Sequence, residues 1–363
     1  MKPEKLYIKN GDRNEYFAAS NSGRGFISYY DKVFDPEKFK RIFILKGGPG
    51  CGKSSLLKKA AAFAEGGGSK CEGILCSSDP DSYDGIIINK GGELVAIIDG
   101  TSPHSVDASY YGACEKIIDL GAFLDTKKLT SCRDKIIETS KKKSMHYKSA
   151  YSALGAALSL EKDRQKLLRY AIDNEKLDSA VTRLFLSQKI KPDSRYSKEI
   201  KLKSAISMKG EYETDIYEKS GMTPFAIWGA HGASFAFIER IIEMAKSKDL
   251  TLTLSPTPLA PDIYDAVSIK EMNTYFFDAG TDDNCTNKKA IHSERFFSMH
   301  RLKEIKPTLR AIKRHVNSLM DFALSELGKA KDTHFYLENI YIDAMDFERK
   351  EELEDKLFYE ILI

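Results

Sequence analysis

The chain has 363 residues, 42% of them hydrophobic, with 56 Lys and Arg against 53 Asp and Glu and a formal net charge of +3. That length exceeds one ordinary core and suits two domains, and the near balance of charge excludes a globally basic protein recruited to nucleic acid or to an anionic membrane. No apolar run approaches the roughly 18 residues of a membrane span, and "MKPEKLYIKNGDRNEYF" has no apolar signal core, so the expectation is a cytoplasmic protein without membrane contact.

Arg24-Gly25 is the first notable pair, a basic residue and a glycine in a turn that either lies at the surface or points a guanidinium at phosphate. Next, Arg41 to Leu45 reads as a short β-strand, and Gly47-Gly48-Pro49-Gly50-Cys51-Gly52-Lys53-Ser54 follows at once, a full GxxxxGK[ST] motif. In such a loop the glycines let consecutive N–H groups turn inward on phosphate oxygens, and the positive end of the following helix adds to the cradle. Lys53 is then expected to reach the β- and γ-phosphates and the Ser54 hydroxyl to hold Mg²⁺, with Ser55 next in line. Leu56, Leu57, Ala60, Ala61 and Ala64 give the helix an apolar face, and Gly66-Gly67-Gly68 ends it.

Strands are expected around Ile74-Leu75, at Ile86 to Ile88 and at Leu94 to Ile98, the last two joined by the turn Asn89-Lys90-Gly91-Gly92. Leu94-Val95-Ala96-Ile97-Ile98-Asp99 has the form of a buried strand that brings an aspartate beside the loop to orient Mg²⁺. His104, just beyond, either senses phosphate and exchanges protons or simply ends the turn. Long helices are expected at roughly 133–188 and 302–361, with the lysines of 127–148 either a solvated face or a basic lid over a nucleotide.

From about residue 200 the same order of features returns. Lys209-Gly210 stands 185 residues after Arg24-Gly25, and Gly229 and Gly232 stand 182 after Gly47 and Gly50. Pro261-Asp262-x-Tyr264-Asp265 follows Pro80-Asp81-x-Tyr83-Asp84 by 181, and Leu327-Gly328 follows Leu154-Gly155 by 173. A steadily falling separation is what one duplicated unit with shortened loops produces. In the second copy Lys53 becomes Phe235, Ser54 becomes Ala236 and Asp79 becomes Ala260. The second loop is thus expected to have lost phosphate and metal, Asp79 to belong with the chemistry, and Asp84 and Tyr83, kept in both copies, to serve folding. Trp228, on the strand entering the second loop, is expected in the core.

The segments "NSGRGFISYYDKVF", "FILKGGPGCGKSSLLKK", "CSSDPDSYDGIII", "VAIIDGTSPHSVD" and "YIDAMDFERKEELE" resemble a bacterial family of tandem P-loop proteins of ATPase or nucleotide-kinase-like type, common among spore-forming Gram-positive bacteria. The resemblance covers nearly the whole chain and implies two P-loop domains and ATP as the nucleotide. The worn second loop departs from that pattern.

The expected fold is therefore α/β, with two tandem P-loop NTPase-like domains, each a parallel sheet flanked by helices with a helical extension. They span 1–195, with the intact loop, and 196–363, with the degenerate one, joined through the polar stretch 187–199. The expected cofactors are ATP or another nucleoside triphosphate and Mg²⁺. The expected catalytic residues are Lys53, Asp99 and Asp79, the metal ligands Ser54 and Asp99, and the nucleotide cradle Gly47 to Ser55. Slow ATP hydrolysis in the first half, with the second as a packed regulatory or structural partner, is the leading reading; a small-molecule or nucleotide kinase and a non-catalytic nucleotide-dependent module are the alternatives, and a protein partner is left open. Cys51, Cys71, Cys76, Cys114, Cys132 and Cys285 form no CxxC pair, so free thiols and no zinc site are expected.

Overall fold

The computed structural model describes residues 6–8, 13–187, 190, 196–280 and 289–362; Cys285 and most of the stretch 187–199 fall outside them. The apolar run after Arg41 forms β5 (Arg41–Lys46), and Ile42, Phe43, Ile44 and Leu45 are all buried, as a strand covered on both faces requires. It is flanked by β8 (Glu93–Asp99) and β9 (Glu115–Asp119), both parallel to it. On the far side of β8 lie β7 (Tyr83–Lys90), β6 (Lys70–Leu75) and β2 (Asn14–Phe17), giving the order β2-β6-β7-β8-β5-β9. The sheet is mixed rather than all parallel, because the two-residue connection Gly91-Gly92 folds β7 back onto β8 as a hairpin. The helix α2 (Lys53–Gly66) buries Leu56, Leu57, Ala60, Ala61 and Ala64, the face its sequence pattern marked.

A second six-stranded sheet has the same order and the same orientations. It runs β10 (Lys198–Ile200), β14 (Leu252–Pro256), β15 (Tyr264–Ile269), β16 (Thr274–Gly280), β13 (Thr223–Trp228) and β17 (Lys289–His292), with only β15 antiparallel to its neighbours. Its helix α6 (Ser234–Ser247) buries Phe237, Ile238, Ile241, Ile242 and Ala245 where α2 buries Leu56, Leu57, Ala60, Ala61 and Ala64, which corrects the expected pairing by one residue: Ser234 stands at the place of Lys53 and Phe235 at that of Ser54.

Both parts of the chain contribute to a third sheet. The hairpin β3 (Ala19–Ser22) and β4 (Gly25–Ser28) meets the hairpin β11 (Ser204–Ser207) and β12 (Gly210–Thr214), with β1 (Leu6–Ile8) beside β12. At the seam Asn21 donates from Nδ2 to the Ile206 carbonyl at 2.7 Å and accepts at Oδ1 from the Tyr151 hydroxyl at 2.9 Å. Tyr151 belongs to α4 (Arg133–Ala171), which packs against the 44-residue α7 (Met299–Ile342). The bonds Lys143–His334, His146–Glu326 and Tyr170–Glu304 show the two to be antiparallel. Gly155 of α4 lies against the turn carbonyl of Gly23, and Gly328 of α7 against that of Met208, so the recurring Leu-Gly pair lets each helix pass a hairpin tip.

The helices exchange places at their ends. Beyond Ile172, which pairs with Phe297, α5 (Asn174–Leu186) docks on α6 of the second sheet. Beyond Met345, which pairs with Leu124, α8 (Phe347–Leu362) docks on α2 of the first. Each sheet's loop helix is therefore covered by the tail of the other half. No helix among the described residues is long and apolar enough to cross a membrane.

Candidate functional site

The segment between β5 and α2 is a curled loop whose shape depends on glycine. Gly50 and Gly52 have φ of 75° and 74°, which L side chains rarely adopt, and Gly52 is the residue from which α2 starts. Lys53 folds back over this loop, donating from Nζ to the carbonyls of Gly47 at 2.9 Å and Gly48 at 3.0 Å. Its Nζ also lies 3.7 Å from Asp99 Oδ2, an ion-pair distance too long for a hydrogen bond. Both side chains are largely covered, at 12% and 15% exposure. The other carboxylate oxygen, Asp99 Oδ1, accepts from the Thr101 backbone N–H at 2.9 Å and from its hydroxyl at 2.6 Å.

Burial pushes the Asp99 carboxyl above its usual range, and Lys53 only partly opposes this. An ionised carboxylate at this place is under-compensated, which fits a site completed by a further cation. The Ser54 hydroxyl accepts from the Tyr83 backbone N–H at 2.9 Å, which fastens the start of α2 to the start of β7. Serine hydroxyl and carboxylate are the hard oxygen donors that Mg²⁺ takes, usually alongside water and phosphate oxygens rather than an all-protein cage. Among the described residues no group of three or more His, Cys, Asp or Glu side chains could hold a metal alone. Cys51 is buried and its thiol is pushed up by that burial, so it packs the loop; Pro49 is half-buried on the same turn and Ser55 is exposed.

The loop of the first half is walled by residues from the end of the chain. A Cβ placed on Gly48 would meet the Tyr341 ring at 2.7 Å, one on Gly50 the Glu338 carbonyl at 2.6 Å, and one on Gly52 the Lys350 side chain at 3.0 Å. Lys350 is buried and ion-paired to buried Glu354, which also receives Lys59 of α2 at 3.0 Å. Sequence reasoning missed this wall; "YIDAMDFERKEELE", quoted only as a family-like segment, supplies most of it. Lys46, at the end of β5, was missed as well, and it donates to the carbonyls of Gly100 at 3.0 Å and Val106 at 2.6 Å, pinning the turn after Asp99.

Asp79 makes contacts across to the second half. Its Oδ1 lies 3.0 Å from Lys209 and 3.8 Å from Lys331, both from the second half, and its Oδ2 accepts from the Ser82 hydroxyl at 3.3 Å. Lys209 also pairs with Asp81, while Arg24, in the corresponding hairpin turn, pairs with Asp262. The two basic turns therefore reach crosswise to the two Pro-Asp segments. Trp228 is partly buried at the end of β13.

At the second loop the Glu294 carboxylate sits against Gly229 so closely that no Cβ would fit there, and it accepts from the His231 backbone N–H at 3.2 Å. Arg164, reaching in from α4, donates to the His231 carbonyl at 2.8 Å, and Arg169 lies over the Phe235 ring at 4.9 Å. A carboxylate thus fills the second loop, whereas at the corresponding place in the first half the chain has Gly121, which carries no side chain. No family model matches the chain, and no curated protein or solved structure matches it. The functional reading rests on the residues themselves.

Proposed function

We propose that the loop Gly47 to Ser54 with Asp99 is a Mg²⁺–nucleoside triphosphate site of the P-loop kind. The protein, in this reading, is a slow ATPase whose first half binds and hydrolyses the nucleotide. The second half is a duplicated, degenerate copy that has kept its fold and lost its site. The observation that carries the reading is Lys53, held between the Gly47 and Gly48 carbonyls and 3.7 Å from Asp99 at the start of α2. In that position its ammonium has only to leave two carbonyls to meet phosphate. Backbone N–H groups of the loop and the positive end of α2 supply the rest of the anion site. Ser54 and Asp99 would hold Mg²⁺, which neutralises charge on the β- and γ-phosphates when bound.

Duplication is supported by the identical order of the two six-stranded sheets, the crosswise pairs Arg24–Asp262 and Lys209–Asp81, and the exchange of α5 and α8. Loss of the second site is supported by Ser234 and Phe235 at the start of α6, where α2 has Lys53 and Ser54, and by the Glu294 carboxylate in the loop. Because α7 and α8 wall the intact loop, the second half has a role as a fixed part of the first half's site. Phosphate release from Mg-ATP, measured with and without a panel of nucleosides and nucleotides, tests this. Release without any acceptor supports hydrolysis, acceptor-dependent loss of ATP without phosphate release moves the assignment to a kinase, and no turnover with tight binding moves it to a nucleotide-dependent module.

A further inference from the structure

The turn after β8 is fixed from several sides. Asp99 Oδ1 takes two hydrogen bonds from Thr101, the His104 N–H donates to the Thr101 carbonyl at 2.9 Å, and Lys46 ties down Gly100 and Val106. This places the imidazole of His104, 8% exposed, with Nε2 2.9 Å from Asp84 Oδ2 on β7. Its face stacks on Tyr30 at 4.3 Å and Phe26 meets it edge-on at 4.9 Å. With Asp84 accepting from Nε2–H, Nδ1 is a bare acceptor, and it is buried without a hydrogen-bond partner among the described residues. An unmet buried polar atom is destabilising, a cost that an apolar ring of the same size would avoid.

The pair also borders the nucleotide site. Asp84 follows Tyr83, whose N–H donates to Ser54, and the Asp84 charge is felt at Asp99. The second half lacks the pair: Asp265, at the place of Asp84, accepts from the Ser204 hydroxyl at 2.9 Å, and the sequence has no histidine between Asp278 and His292. The Asp–His pair therefore accompanies the intact loop. Within residues 100–106 His104 is the one side chain with a basic nitrogen, and no glutamate follows Asp99.

Resting on the nucleotide reading above, we propose that His104, oriented by Asp84, is the general base for hydrolysis in the first half. Its Nδ1, buried as the ring stands, is uncovered when the triphosphate binds and then takes a proton from water as the water oxygen bonds to the γ-phosphorus, and the bond from that phosphorus to the β,γ-bridging oxygen breaks. Nucleoside diphosphate and inorganic phosphate leave, the Asp84 carboxylate balances the imidazolium, and Nδ1 returns its proton to the phosphate or to solvent. Asp84 holds the tautomer, as the carboxylate does in other Asp–His pairs.

His104→Gln is expected to lower kcat about 100-fold or more, by the usual scale for general-base loss, while affinity for a non-hydrolysable triphosphate analogue with Mg²⁺ stays within about threefold. Asp84→Asn should lose part of the same rate and likewise keep the analogue. Turnover equal to wild type in His104→Gln, with analogue binding intact, overturns the proposal alone; a wild-type chain that binds no analogue overturns the nucleotide reading and this proposal with it. Should the buried substitutions fail to fold, the wild-type rate in D₂O against H₂O decides. A proton leaves water in the proposed step, so turnover should be slower in D₂O with analogue binding unchanged. Equal rates in the two solvents overturn it.

Discussion

Lys209 places its ammonium 3.0 Å from the Asp79 carboxylate, although the two residues come from opposite halves of the chain. The same ammonium pairs with Asp81, and Arg24 returns the contact to Asp262. Arg24, Asp262 and Asp81 are exposed and Lys209 and Asp79 are partly covered, so each pair contributes modestly: Lys209→Ala should cost about 1 kcal/mol of unfolding free energy in denaturant titration. Asp79→Asn should leave Mg-nucleotide affinity within about threefold, since Asp79 makes its described contacts to Lys209, Lys331 and Ser82. A larger loss of affinity would return Asp79 to the nucleotide site.

Asp99 sets stability against function. Its carboxyl is pushed up by burial, so the ionised form is disfavoured in the folded state; the favourable contribution is present at low pH and is lost as pH rises through the folded-state value. At neutral pH, without nucleotide, Asp99→Asn should therefore raise the melting temperature, because it removes a desolvated charge while Lys53 keeps its two carbonyl partners. The same variant should lose the gain in nucleotide affinity that Mg²⁺ gives. Calorimetry on the apo protein and titration with and without EDTA check the two halves of this statement; a lower melting temperature together with a normal response to Mg²⁺ would contradict both.

The strand, loop and helix around Lys53 were legible because local chemistry decides them: a glycine run, an apolar strand before it and an apolar helix face after it. The strand ending in Asp99 was legible for the same reason. What the sequence did not reveal is long-range. Nothing in the spacing around Tyr341 or Lys350 says that α7 and α8 bring them against Gly48 and Gly52, and nothing in the two Pro-Asp segments says that the basic turns reach them crosswise. The recurrence of the Tyr-Asp pair at Asp84 and Asp265 pointed to folding, yet the partner differs, His104 for Asp84 and Ser204 for Asp265. Recurrence of a residue type does not fix what it touches.

The wall over the loop predicts a contrast between two glycines. Gly50 and Gly112 have nearly the same positive φ, 75° and 78°, but a Cβ on Gly50 meets the Glu338 carbonyl while one on Gly112 meets nothing. Gly112→Ala should cost about 1–2 kcal/mol from backbone strain alone. Gly50→Ala should cost more and should speed hydrogen exchange in α8, because the end of α7 must move aside. Equal costs, with α8 unaffected, would mean that the wall is loosely applied.

Glu294 occupies the second loop, but removing it should not restore a site there. Glu294→Ala leaves Ser234 where a lysine is needed and Phe235 where a hydroxyl is needed, so Mg-ATP binding should be unchanged. A new, weaker binding event in the variant would show that the carboxylate, rather than the lost lysine and serine, is what closes the loop.

The central claim is one nucleotide site per chain, built on Lys53. Calorimetric titration of the full chain with a non-hydrolysable Mg-ATP analogue should give a stoichiometry of about one. Lys53→Ala should lose about 2–4 kcal/mol of binding free energy, on the scale of charged hydrogen-bonded pairs. Two sites per chain, or an affinity that Lys53→Ala leaves unchanged, would contradict the account.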